Sequence, residues 1–262
     1  MSTIPTRRPA LLAMLALSTL AAPAAAQDFE WTGRLAAGRT LEVKNVNGEI
    51  EAVAAAGDEI RVTATKRARR SDPDDVRIEV VEHGDGVTIC AVYPPGPDGR
   101  DNECAPGSGG RMNSHRNDTN VSFRVEVPRG VRFSGRTVNG GVSARGLDAD
   151  IDAHTVNGSI DVSTNGLVRA STVNGGIDVE MGRADWTDDL DFETVNGNIA
   201  LTLTGDVHAE VSASTVNGSI STDYPLTIQG RFGPKRLRGT IGDGGRSLSM
   251  ATVNGSIELR RR

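Results

Sequence analysis

The chain has 262 residues, 37% of them hydrophobic, with five Phe, two Trp and two Tyr and a formal net charge of −5. This mild acidic balance gives no general attraction to nucleic acid or to an anionic membrane surface. A chain of this length can bury a substantial core, but one so poor in aromatic residues must build it from Val, Ile, Leu and Ala, which suits narrow and regular β-structure.

Residues 1–26 read as a secretory leader. Arg7 and Arg8 give a positive start, Leu11 to Leu20 is an apolar run of the right length for an h-region, and Ala24-Ala25-Ala26 offers a small-residue cleavage site before Gln27. A membrane span needs about 20 apolar residues, so export is expected, with no transmembrane segment in the mature chain. Loss of Arg7 and Arg8 takes the formal charge from −5 to −7.

Residues 27–127 read as an N-terminal β region. Leu41, Val43 and Ile50 flank an Asn-Val-Asn-Gly tetrapeptide ending at Gly48. Ile60, Val62 and Ala64, then Ile78 and Val80, Val87 and Ile89, and Val121, Phe123, Val125 and Val127 alternate with polar neighbours, the pattern of half-buried strands. Cys90 and Cys104 are the only cysteines. In an exported chain two cysteines 14 apart are expected to form a disulfide, here closing a Pro- and Gly-rich loop. A metal is not expected, because His115 is the only nearby histidine and the spacing fits no zinc pattern.

Residues 128–262 carry the most informative feature, and they continue the preceding part without a linker. Thr-Val-Asn-Gly occurs six times, with its asparagines at Asn139, Asn157, Asn174, Asn196, Asn217 and Asn254, and Asn47 holds the same place in the variant. The steps are 18, 17, 22, 21 and 37 residues, so one repeat is degenerate or carries an inserted hairpin. A second glycine signal falls about half a repeat on, at Gly146, Gly166, Gly182 and Gly205. Each repeat is therefore two short strands and two turns. Apolar parity flips across the motif, as between Leu190 and Phe192 before it and Ile199, Leu201 and Leu203 after it. A flip at the same place in each repeat is a fixed corner, and Asn-Gly suits a corner because both residues tolerate φ > 0.

Two all-β architectures satisfy this pattern. An antiparallel hairpin meander or sandwich would set Thr194 against Ile199 and Phe192 against Leu201. A β-solenoid of two-strand repeats of about 17–22 residues would instead stack the motifs at the ~4.8 Å strand spacing, so that the seven asparagines form a structural ladder. Near-identical residues at every turn are what stacking demands, and the solenoid is the expectation.

These features, a leader, a Cys-bearing Pro/Gly loop and Thr-Val-Asn-Gly-x-Ile units ending in Thr252-Val253-Asn254-Gly255-Ser256-Ile257, resemble a bacterial adhesin-like β-strand-repeat family, a domain of unknown function with Thr-Val-Asn-Gly-type repeats. The resemblance implies an exported or envelope-associated β-solenoid with a role in adhesion or stress response. It brings no catalytic or cofactor-binding residues.

The chain's own chemistry is sparse. Asp161 and Asp178 lie four residues after consecutive motif asparagines; stacked coils would set these carboxylates side by side, suiting a glycosidase pair or a weakly held cation, or simply forming acidic surface. Trp186 stands among Asp185, Asp188, Asp189 and Asp191, as a sugar-stacking platform or as the cover of a strand edge. His83, His115, His154 and His208 are dispersed, with no nucleophile arrangement beside them. The expected protein is a non-enzymatic exported module of the cell envelope, structural or adhesin-like, periplasmic or extracellular, without cofactor or metal. Its partner would be an envelope protein or polysaccharide, and uncapped solenoid ends would permit self-association. The alternative is a polysaccharide-active enzyme or carbohydrate-binding protein on the same scaffold.

Overall fold

The computed structural model describes residues 29–262 except 98, 185, 187 and 230–233; the leader read at 1–26 lies outside the described residues. Two sheets share one hydrophobic core. Strands running into the motif belong to an eleven-stranded leading sheet, and strands following it belong to a ten-stranded trailing sheet.

Each coil is built alike. Ile151–His154 enters the corner at Thr155 to Gly158, and Ile160–Thr164 leaves it. Ile160, Val162 and Ala153 are buried while Asp161 points out, so alternation places one residue in two in the core. Each aliphatic side chain buried there contributes about 1.5–3 kcal/mol. Coils stack in parallel and in register: Ile199 lies beside Ile177 and Ile257, its own kind in the neighbouring coils, and not beside Thr194. The array is a β-solenoid, and antiparallel pairing is confined to its two ends.

The corner glycine is required for a different reason from the one the sequence suggests. Among motif glycines only Gly48, at φ 123°, has positive φ, and no motif asparagine does. Proximity sets the requirement: a Cβ on Gly158 would stand 2.0 Å from the Gly140 carbonyl oxygen, and one on Gly175 would stand 1.9 Å from that of Gly158.

Stacking order departs from chain order at both ends. The coil of Thr40–Lys44 and Ile50–Ala54 is inserted between that of Gly86–Val92 and Asn120–Val127 and that of Arg132–Arg136 and Val142–Leu147. At the far end, Ser247–Asn254 and Ile257–Arg261 are inserted between Leu190–Glu193 with Ile199–Leu203 and Ala209–Asn217 with Ile220–Thr222. The step of 37 residues thus holds an antiparallel hairpin, Ile228–Gln229 with Lys235–Ile241, and the return path of the last coil. Arg260 and Arg261 thus lie on an inner strand of the stack. Antiparallel strands cover one end on both sheets, Arg77–His83 on the leading sheet and Ile60–Arg67 with Phe29–Gly33 on the trailing one; at the other end Lys235–Ile241 covers the leading sheet, while Ile220–Thr222 is the edge of the trailing sheet.

Candidate functional site

Two ladders run along the motif corners. Thr155 Oγ1 donates to the Gly140 carbonyl at 2.8 Å and Thr172 Oγ1 to that of Gly158 at 3.0 Å; the same bond joins Thr137 to Gly48, Thr194 to Gly175, Thr252 to Gly197 and Thr215 to Gly255. Outside them the asparagines form a chain in the order Asn217, Asn254, Asn196, Asn174, Asn157, Asn139 and Asn47, each Nδ2 donating to the next Oδ1 at 2.7–2.9 Å.

The variant first motif follows from its neighbour. The coil outside it has no motif glycine, and Asn45, in place of threonine, reaches the Val121 carbonyl with its Nδ2 at 2.7 Å. Tyr93 donates to the Thr119 carbonyl at 2.9 Å beside it, and burial pushes its phenol up to about 12. At the opposite end Lys235 Nζ donates to the Gly218 carbonyl at 2.6 Å, where a further coil would supply its threonine. These corners satisfy their own polar groups, which is the work of a structural ladder.

On the trailing sheet Asp161 and Asp178 occupy one register on adjacent strands. Both are exposed and line a shallow depression of about 390 Å³, and Asp161 accepts from Arg145 Nη2 at 3.1 Å. Trp186 is 7% exposed and packed into the core, so its ring offers no stacking platform; Asp185 lies outside the described residues. Asp189 accepts from the Ser247 amide at 3.1 Å, fixing a connection.

The outer face of the leading sheet carries a cleft of about 680 Å³. Glu42, Ser134, Asp152 and Arg169 share one register on four adjacent strands along it. Glu42 is 4% exposed. It accepts from Thr88 Oγ1 at 3.0 Å, from the Gly107 amide at 2.9 Å and from Arg136 Nε at 3.1 Å. Arg136 Nη2 also donates to Asp152 at 2.9 Å, so one guanidinium ties both carboxylates.

The Cys90–Cys104 disulfide holds the loop that overhangs this floor. Lys44 fixes the same loop, donating to the Ala105 carbonyl at 2.5 Å and to that of Gly109 at 3.1 Å. Burial pushes the Lys44 pKa down, Arg136 adds to that, and Glu42 opposes it.

Beside the cleft, His154 lies between Asp152 Oδ1 and Ser171 Oγ, at 2.6 Å from each. Sequence reading missed this trio because Ser171 lies one coil away; adding the coil step of 17 to His154 would have found it. The order Asp, His, Ser is that of a hydrolytic relay. Yet Ser171 sits in a parallel ladder whose amides bond neighbouring coils, the Thr172 amide reaching the Glu193 carbonyl at 2.9 Å. Amides so engaged are not free to serve an oxyanion. Burial raises the Asp152 pKa, but the His154 hydrogen bond and the charges of His154, Arg136 and Arg169 outweigh it, leaving the carboxyl below its ordinary range. Among the described residues no group of His, Cys, Asp or Glu gathers as a metal site.

Residues 136–260 match the family model described as Toastrack DUF4097. No curated protein matches the chain. Among solved structures, the chain is similar to a candidate cell adhesion protein from Clostridium sporogenes, with a TM-score of 0.45 and 10% identity over 89% of this chain and 99% of that one. It is also similar to a candidate adhesin from Bacteroides fragilis, with a TM-score of 0.38 and 11% identity over 89% and 96%.

Proposed function

From the match of residues 136–260 to the Toastrack DUF4097 family model, we propose that the protein is a non-enzymatic, exported module of the cell envelope, structural or adhesin-like in action. The observation that carries this reading is the unbroken corner ladder from Asn217 to Asn47, which makes a stiff scaffold with polar faces fit to hold a partner. The disulfide between Cys90 and Cys104 supports an oxidising compartment. The enzymatic alternative draws on Glu42 and Asp152 sharing one cleft. Both, however, are bonded to Arg136, the arrangement of a positioned salt bridge and not of an acid and a base facing a scissile bond.

Fractionation of the producing cells tests the reading. The expected result is protein outside the cytoplasm, beginning near Gln27, that sediments with envelope fragments when added back to them. Cytoplasmic protein with its first 26 residues intact would sink the proposal.

A further inference from the structure

We infer that the outer face of the leading sheet, toward its far end, is an interface for a second copy of this chain, docked about a two-fold axis parallel to the strands. Four neighbouring strands, Lys235–Ile241, Ala209–Asn217, Ser247–Asn254 and Leu190–Glu193, carry two rows of side chains in register there. One row reads Arg236, Ser214, Ala251, Glu193, and the other reads Arg238, Ser212, Ser249, Asp191. Leu237, Ala213, Met250 and Phe192, which lie between the rows, are buried, so alternation turns both rows outward. Each row runs from a cation through two short side chains to an anion.

Nothing within the chain uses these charges. Arg136, Arg145, Arg169 and Arg260, elsewhere on the two sheets, each stand beside a carboxylate. Arg236, Arg238, Asp191 and Glu193 are all exposed, and among the described residues none of the four makes an ion pair or a side-chain hydrogen bond. Their neighbours are engaged elsewhere: Glu210 accepts from Thr240 Oγ1 at 3.0 Å, and Arg169 stands 3.7 Å from Asp188.

The order of the charges makes the patch complementary to itself. A two-fold axis between Ala209–Asn217 and Ser247–Asn254 exchanges the two sides of the patch and keeps each residue at its own level. Arg236 then faces the partner's Glu193, Arg238 faces the partner's Asp191, and each contact occurs twice. An axis across the strands would set arginine on arginine and carboxylate on carboxylate, so the charges select one docking and reject the other. The patch ends on Val216, Val253 and Val195, 43%, 40% and 40% exposed. The same rotation keeps them at one level, with Val216 opposite the partner's Val253, so that the apolar margins meet. A shallow depression of about 340 Å³ beside the arginines and serines leaves room for bridging water. The charged sides lie about 14 Å apart, three strand spacings. This is a small patch beside the ~800 Å² per partner of a stable interface, so the dimer is weak and sensitive to salt.

Sedimentation equilibrium of the leader-free protein tests this, at concentrations up to about 1 mM. A monomer–dimer equilibrium is expected at about 0.1 M salt and monomer at about 1 M, where the Debye length has fallen from about 10 Å to about 3 Å. Arg236→Glu with Arg238→Glu, and separately Asp191→Arg with Glu193→Arg, should each raise the dissociation constant roughly tenfold or more. Mixed in equal amounts, the two double variants should form a heterodimer at least as tight as the wild-type dimer, because an all-acidic patch then faces an all-basic one. Variants that had merely failed to fold would show no such rescue. Asp178→Arg, on the trailing sheet, should leave the dimer unchanged. Monomer at every concentration, a dimer that survives either reversal or high salt, or no heterodimer on mixing would overturn the assignment.

Discussion

Asn254 donates to Asn196 at 2.7 Å across 58 residues of chain, whereas Asn217, the next motif asparagine after Asn196 in sequence, is bonded to Asn254 at 2.8 Å. The last coil has entered between two that precede it. Its corner makes the same bonds as every other, Thr252 to Gly197 at 3.0 Å and Thr215 to Gly255 at 2.8 Å. Identical motifs make the coils chemically interchangeable, so the order is set by the connections and the capping hairpin.

The two corner ladders should differ in weight. Thr172 is 5% exposed, whereas Asn174 is exposed. Thr172→Val keeps the shape but strips the Gly158 carbonyl of its hydroxyl, and should cost about 1–3 kcal/mol. Asn174→Ala, whose broken bond is replaced by water, should cost about 0.5–1 kcal/mol. Urea midpoints of the two variants decide the ranking; a costlier Asn174→Ala would mean that the exposed row carries the corner.

Gly175→Ala should be far worse than Gly146→Ala. The first would press a Cβ to 1.9 Å from a backbone oxygen that the stack holds in place, while the second meets open space at φ 64°. About 3 kcal/mol or more is expected for Gly175→Ala, against about 1 kcal/mol for Gly146→Ala. Equal melting temperatures would show that the coils can separate to make room.

Opening the disulfide should loosen one region only. Cys90 and Cys104 close a loop of 14 residues, and in the chain-entropy picture the link contributes about 3 kcal/mol. Replacing both by serine should lower the unfolding midpoint and speed hydrogen exchange at the Gly107 amide, with the Asn157 corner unchanged. Non-reducing peptide mapping of exported protein should find the two half-cystines in one linked pair.

Acid should act through Asp152. A carboxyl whose folded pKa is depressed adds stability that is fully present above its unfolded value, about 3.9, and is lost as pH falls through the folded value. Wild-type protein should therefore lose thermal stability below about pH 4. Asp152→Asn, less stable at pH 7, should lose less over that range. Parallel melting curves of the two proteins on acidification would disprove the role.

Much of the fold was legible because Thr-Val-Asn-Gly marks a corner and the parity flip at Leu190, Phe192, Ile199 and Leu201 marks strands on either side of it. Parallel stacking could be argued from Asn157 and Asn174 because a ladder needs the same residue at each level. The insertion of Asn254 between Asn196 and Asn217 left no trace, since every motif makes the same bonds with any neighbour. The cleft was hidden for a related reason. Glu42, Ser134, Asp152 and Arg169 are scattered over 128 positions of sequence and meet only when the coils are ordered. The Asp161 and Asp178 pair, one coil step apart in sequence and adjacent in space, was visible from the repeat alone.

The interleaved ends change how the molecule resists being pulled apart. An outermost strand can peel from its neighbour one bond at a time. Ser247–Asn254 and Ile257–Arg261 instead have partners along both edges, so tension on that coil loads two rows of bonds together, in shear. Thr40–Lys44 and Ile50–Ala54 are gripped in the same way at the other end. Interleaving thus places mechanical toughness in these two inserted coils, one toward each end of the stack.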